Sequence, residues 1–142
     1  MKIAFVPSTN LQRAAAFTFE NMRDYYAHFA PDWDAAKVLA VTVNLMNYDI
    51  LLGDDTVGVI RLQFKENNCI LRDLQVIPSA QNKGIGRAAI KETERLALEA
   101  KASSLTLRVF KISPAVSLYK SAGFVIESED DRFFNMTKPI NR

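Results

Sequence analysis

The stretch from Leu71 to Ala89, L-R-D-L-Q-V-I-P-S-A-Q-N-K-G-I-G-R-A-A, constrains this chain more than any other. It runs from an apolar strand through a proline-marked turn into a glycine-rich segment that opens a helix. Such a layout builds an anion site. The first N–H groups of a helix have no partners within it, and aligned peptide dipoles collect partial positive charge at the same end. The amides of Asn82, Lys83, Gly84, Ile85 and Gly86 lie at or just before that end. Gly84 and Gly86 let the backbone come close to a ligand, where a side chain would block the approach. Lys83 and Arg87 add formal charge. A phosphate or pyrophosphate is the guest this segment suits.

Spacing separates three nucleotide-binding motifs. A P-loop needs G-x-x-x-x-G-K-[ST], and no Lys-Ser or Lys-Thr follows a glycine here. The dinucleotide fingerprint G-x-G-x-x-G/A is formally met by Gly84, Gly86 and Ala89. Its first glycine should follow the strand almost directly, whereas Pro78 to Lys83 intervene. It also needs an acid closing the next strand, which instead ends in Phe110-Lys111. V-x-P-x-x-Q-x-x-G-x-G, with Val76, Pro78, Gln81, Gly84 and Gly86, resembles the acyl-CoA-binding signature of the GNAT family of N-acetyltransferases. The segment Leu107 to Phe124, L-R-V-F-K-I-S-P-A-V-S-L-Y-K-S-A-G-F, resembles the family's other CoA motif, a strand leading into N-P-A-x-x-L-Y-x-x-x-G-F. Leu118, Tyr119, Gly123 and Phe124 match, and Ser113 stands where Asn is usual. The motifs occur in the expected order, about thirty residues apart. A lone Gly-x-Gly pair often marks only a turn; the two signatures together weigh against that.

The 142 residues suit one domain, 1–142, long enough to bury a single substantial core. A net charge of +2, carried by scattered basic residues, gives no nucleic-acid stripe. Cys69 is the single cysteine, which excludes an intrachain disulfide and suits a reducing cytoplasm. In its apolar strand it reads as a small core residue. With one Cys and one His, a zinc cluster of the usual kind is not expected, and no metal is implied. No signal peptide or membrane-length apolar run is seen. A cytoplasmic protein with neither nucleic-acid nor membrane partners is the expectation.

Pattern gives the elements. Lys2 to Val6 reads as a strand ending at Pro7. Ser8, Thr9 or Asn10 can cap a helix over about Leu11 to Phe29, and Asp32 or Asp34 a second helix running to about Met46. The second contains Val38, Val41, Thr42 and Val43, which favour strand. Tyr48 to Leu52, Thr56 to Phe64 and Cys69 to Val76 form three consecutive antiparallel strands, joined at Gly53-Asp54-Asp55 and Glu66-Asn67-Asn68. Gly84 to Lys101 is the clearest helix, with Ile85, Ala88, Ala89, Leu96, Ala97 and Ala100 on its buried face. Leu105 to Phe110 is a strand and Pro114 to Ser121 a short helix stopped at Gly123. Phe124 to Glu127 and Phe133 to Met136 close a terminal hairpin. The order is β-α-α-β-β-β-α-β-α-β-β. It is an α+β fold (α/β three-layer in some schemes), a mixed and mainly antiparallel central sheet flanked by helices, as in GNAT proteins.

The resemblance implies an acetyl-CoA-dependent N-acetyltransferase moving acetyl directly to a primary amine. It places the CoA pyrophosphate on Gln81, Asn82, Lys83, Gly84, Ile85, Gly86 and Arg87. The pantetheine arm pairs with backbone groups of Leu74, Gln75 and Val76 like an added strand, in a wedge where the Val76 and Leu105 strands splay. Tyr119 sits where the family places its general acid, a phenol protonating the CoA thiolate; a pKa near 10 suits a thiol near 8.5–9. The alternative is a packed aromatic. Ser113 either bonds the pantetheine arm or caps the helix before Pro114. For the general base, the strand offers only Asp73, on the face opposite Leu74 and Val76 by parity; it can equally pair with Arg72 or Arg61.

The family builds its acceptor site from the first two helices and the terminal hairpin. Tyr26, His28 and Trp33 are the candidate acceptor contacts here, with Glu20 or Asp24 drawing a cationic amine and His28 available as base. The competing reading makes these aromatics helix faces packed on a sheet. The acceptor is a small-molecule amine or a protein or peptide amine. A homodimer fits the family's habit of pairing through sheet edges. Two other functions stay open: a non-catalytic acyl-CoA-binding regulatory module, and a nicotinamide-dependent oxidoreductase using Gly84, Gly86 and Ala89.

Overall fold

Local capping decides where the first helices begin. Asn10 Oδ1 accepts the Arg13 amide at 2.9 Å, opening α1 (Leu11–Asn21) after strand β1 (Ile3–Pro7). Asp34 Oδ1 accepts the Lys37 amide at 2.9 Å and opens α3 (Ala35–Thr42). Where one helix is expected over Leu11 to Phe29, the chain bends at Met22 (φ −103°, ψ 6°), and α2 (Arg23–Phe29) follows. No glycine or proline marks the break. It falls beside Asn21, whose side-chain amide is bound to Gln75. The α3 helix ends four residues short of Met46, where Asn47 Nδ2 donates to the carbonyls of Thr42 and Leu45, both at 2.9 Å. Val38, Val41 and Thr42 are helical despite their strand preference, and Met46 opens β2 (Met46–Leu52).

The remaining elements are β3 (Asp55–Lys65), β4 (Asn68–Val76), a 3₁₀ turn at Pro78–Ala80, α4 (Ile85–Glu99), β5 (Ser104–Phe110), α5 (Ala115–Ser121), β6 (Val125–Glu129) and β7 (Phe133–Pro139). This computed structural model describes residues 2–140. The strands make one seven-stranded sheet in the order β1-β2-β3-β4-β5-β7-β6, flanked by helices, which is the expected α+β architecture. Two-residue connections make β2–β3 and β3–β4 antiparallel. The β4–β5 pair is parallel, as its helical crossover requires, with Asn68–Leu71 against Ser104–Leu107. β4 runs on to Val76 beyond that ladder.

The chain divides into two compact units. The first comprises the chain up to Arg61 with Asp73–Ile85. Its core gathers Ala14, Ala15, Val38, Ile50, Val57, Val59 and Ile60, and β1 pairs antiparallel with β2 from Ile3↔Leu52 to Pro7↔Tyr48. The second comprises Leu62–Arg72 with the chain from Gly86 on. Its core holds Leu62, Cys69, Leu71, Ala89, Ile90, Ala97, Leu105, Leu107 and Met136. On α4 the buried stripe is Ile85, Ala89, Ile90, Thr93 and Ala97; Thr93 is tolerated because its hydroxyl donates to the Ala89 carbonyl at 2.8 Å. Ala100, expected on that stripe, lies past the helix end and is exposed. The Cys69 thiol is fully buried and pushed up to about 12 by that burial, the behaviour of a core residue.

Candidate active site

In the first unit, the glycine-rich turn is open. Gln81, Asn82, Lys83 and Gly84 are exposed immediately before α4, while the Ile85 side chain anchors the helix start in the core at 1% exposure. Asn82 (φ +62°) and Gly84 (φ +80°) both take the left-handed conformation. A Cβ on Gly84 would meet nothing within 4 Å, so backbone strain and not crowding calls for glycine there. Gln81 turns back, its Nε2 donating to the Val76 carbonyl at 2.9 Å. One of the backbone groups expected to be free for a ligand is therefore already engaged, with a second lone pair left.

The same unit holds a polar chain that starts in its interior. Arg61 on β3 is 1% exposed among Val57, Val59, Ile60 and Leu62. Its Nε donates to Asn47 Oδ1 at 2.7 Å, one terminal nitrogen to Thr18 Oγ1 and to Asp73 Oδ2 at 2.6 Å, the other to the Ala14 carbonyl at 2.5 Å. A buried guanidinium has to be satisfied this fully to be tolerated. Asp73 thus pairs with Arg61, one of the two partners the sequence offered. Its other oxygen accepts Gln75 Nε2 at 2.6 Å, and Gln75 Oε1 accepts Asn21 Nδ2 at 2.7 Å.

Of the three candidate acceptor contacts, two come together. Tyr26 and Trp33 share a side-chain hydrogen bond. Burial pushes the Tyr26 phenol up to about 12, helped by the nearby Asp73 carboxylate and opposed by the Trp33 bond and the Arg61 charge. His28 is exposed and sits edge-on to Phe29, ring centroids 4.8 Å apart.

In the second unit, Gly86 answers to packing. A Cβ there would lie 2.8 Å from Leu118 Cδ2, so the missing side chain lets α4 approach α5. Arg87 is exposed on the next position. Ser113 Oγ accepts the Ala115 amide at 3.1 Å, which is the helix-start role weighed from the sequence, with the hydroxyl proton left to donate. The L-Y-x-x-x-G-F run is a Schellman stop. Phe124 N–H bonds the Tyr119 carbonyl at 3.0 Å, Gly123 N–H bonds the Lys120 carbonyl at 3.1 Å, and Gly123 takes φ +100°. The apolar contact that accompanies this motif is Phe124 on Tyr119, rings 5.7 Å apart at 67°. Tyr119 is consequently fixed and only 6% exposed.

A sequence model described as an acetyltransferase (GNAT) domain matches residues 44–126, more than half of the chain. The chain belongs to the GNAT family. Its glycine turn, α4, β5 and the Schellman stop at Gly123 all fall inside the matched span. No curated protein matches the sequence. Among solved structures, a PaiA N-acetyltransferase from Thermoplasma acidophilum, in complex with coenzyme A, is 22% identical with a TM-score of 0.82, covering 98% of this chain and 99% of its own. The ribosomal-protein-S18-alanine N-acetyltransferase from Escherichia coli is 20% identical with a TM-score of 0.78, covering 99% and 96%. Ard1 from Thermoplasma volcanium is 15% identical with a TM-score of 0.79, covering both chains in full at 100%. These likenesses establish a GNAT fold over the length of the chain. The GNAT domain marks it as an acetyltransferase.

What sequence reading missed is the polar chain on Arg61. Two signals were present: an arginine inside the apolar run V-G-V-I-R-L, and Thr18 on the otherwise apolar face of the first helix.

Proposed function

We propose that this GNAT chain, working as one domain over residues 1–142, transfers acetyl from acetyl-CoA directly to a primary amine. The carrying observation is the exposed, unobstructed turn Gln81–Gly84 at the head of the fifteen-residue α4. Backbone amides at a helix start, flanked by Lys83 and Arg87, suit a pyrophosphate. The cradle fits the donor, since nothing stands within 4 Å of where a Gly84 Cβ would be. Acetyl-CoA supplies an acyl group activated as a thioester.

The chain's own residues do the rest. Gln81, Asn82, Lys83, Gly84, Ile85, Gly86 and Arg87 hold the pyrophosphate. Backbone groups of Leu74, Gln75 and Val76 take the pantetheine amides in strand fashion, and Ser113 donates its hydroxyl proton to the same arm. Tyr119 Oη gives its proton to the departing thiolate sulfur, and the proton the amine sheds on becoming an amide restores the phenol through solvent. Tyr26, His28 and Trp33 receive the acceptor, either a small-molecule amine or a protein or peptide amine. A single, fully buried thiol suits the reducing cytoplasm.

The test is release of CoA thiol from acetyl-CoA across a panel of small amines and peptide N-termini. The reading expects amine-dependent release that drops when Tyr119 becomes Phe. Acetyl-CoA binding with no release for any amine overturns the transferase reading in favour of a non-catalytic acyl-CoA-binding module.

A further inference from the structure

Gln75 is held at three points. Its side chain is fixed by Asn21 on one side and Asp73 on the other, at 2.7 and 2.6 Å. Its main-chain carbonyl presses on Gly58, where an added Cβ would lie 2.3 Å from the oxygen. The next residue is held too: the Val76 carbonyl accepts Gln81 Nε2 at 2.9 Å and lies 3.5 Å from Asn21 Nδ2. Ile77 N–H then bonds the Val57 carbonyl at 2.9 Å. The chain of contacts ends at Arg61, which has 1% exposure and acceptors on α1, β2 and β4, and so cannot swing away.

We propose that Arg61, acting through Asp73, Gln75 and Asn21, positions the last residues of β4 as the edge that receives the pantetheine arm. This rests on the acetyl-CoA reading above. It assigns Asp73 a positioning role, with one oxygen bonded to Arg61 and the other to Gln75. Strand addition depends on where N–H and C=O groups stand, and an edge misplaced by a fraction of an ångström loses its bonds to the added strand. Asp73 and Gln75 occupy one face of β4, so the side chains of Leu74 and Val76 are left on the other.

The test is calorimetric titration of the full chain and its Asn21→Ala, Gln75→Ala and doubly substituted variants. The two ligands are CoA and 3′-phospho-ADP, the nucleotide half of CoA without pantetheine. The proposal expects about tenfold weaker CoA binding in each single variant, the value of one lost hydrogen bond, and no further loss in the double. Binding of 3′-phospho-ADP should be unchanged, because it reaches only the turn. Unchanged CoA affinity in both variants overturns the proposal. So does equal weakening of both ligands, which marks general loosening, or additive losses in the double. If the unsubstituted chain binds neither ligand, the acetyl-CoA reading itself falls, an outcome distinct from all of these.

Discussion

The glycine turn and the end of β4 are neighbours in sequence but are held by opposite means. Residues 81–84 are exposed and shaped by their own backbone, with left-handed Asn82 and Gly84 leading into α4. Asp73 and Gln75 are shaped by side chains brought from far away: Asn21 on α1 and Arg61 on β3, itself bonded to Thr18, Ala14 and Asn47. A turn of the first kind is written in a few adjacent residues and stays open to a ligand. A strand end of the second kind is only as well placed as the interior that grips it. A locally encoded turn thus sits next in sequence to a remotely encoded strand end.

Removing the grip should have the largest effect. Arg61→Met leaves Asp73 and three further acceptors without their donor, and should lower stability by about 3 kcal/mol in urea titration. The figure sits at the low end for a broken ion pair because Asp73 is 20% exposed. A loss under about 1 kcal/mol would mean that the polar chain does not hold this region. Next comes Tyr119→Phe, which keeps the packing on Phe124 but deletes the hydroxyl. Its kcat should fall about a hundredfold with the melting temperature little changed.

Smaller effects separate the two glycines. Gly84→Ala should cost about 1–2 kcal/mol through left-handed strain. That loss should be the same whether residue 118 is Leu or Ala. Gly86→Ala should cost about 1 kcal/mol by crowding Leu118 Cδ2, and the loss should shrink in a Leu118→Ala background. Equal coupling of both glycines to Leu118 would erase the distinction between an open turn and a packed one.

The smallest effect is on pH dependence. The Tyr26 phenol rises from its ordinary 10.0 to about 12 on folding, so the folded chain keeps a proton the unfolded chain gives up. Its contribution is fully present below pH 10 and is lost as pH climbs toward 12. The Cys69 thiol, raised from 9.0 to about 12, acts in the same direction from pH 9 upward. Thermal unfolding between pH 9 and 11 should therefore show a falling melting temperature, with a shallower fall in Tyr26→Phe. An unchanged slope in that variant would contradict the burial of Tyr26 beside Asp73.

The sequence was legible where chemistry is local. Asn10 and Asp34 were among the caps it offered, Gly123 was read as a stop, and the Gly84 turn was read as a backbone site. The three consecutive antiparallel strands before the glycine turn followed from the turns at Gly53-Asp54-Asp55 and Glu66-Asn67-Asn68, whereas the sheet order and the parallel β4–β5 pair came from the structure. It was silent where contacts span the chain. The break at Met22 carries no glycine or proline. The reason for Gly86 lies 32 positions away in Leu118, and that for Gly58 in the carbonyl of Gln75. Arg61 was offered only as a partner for Asp73, since its other partners stand up to 47 positions away. Asp73 could be narrowed only to two arginines, because parity fixes a face and not a partner.

The central claim, that this chain is built around an acyl-CoA, is tested most directly by titrating acetyl-CoA into the folded, unsubstituted protein in a calorimeter, with NADH as the control. The account predicts saturable binding of acetyl-CoA at one site per chain and none of NADH. No heat from acetyl-CoA or CoA, in protein shown to be folded, would contradict it.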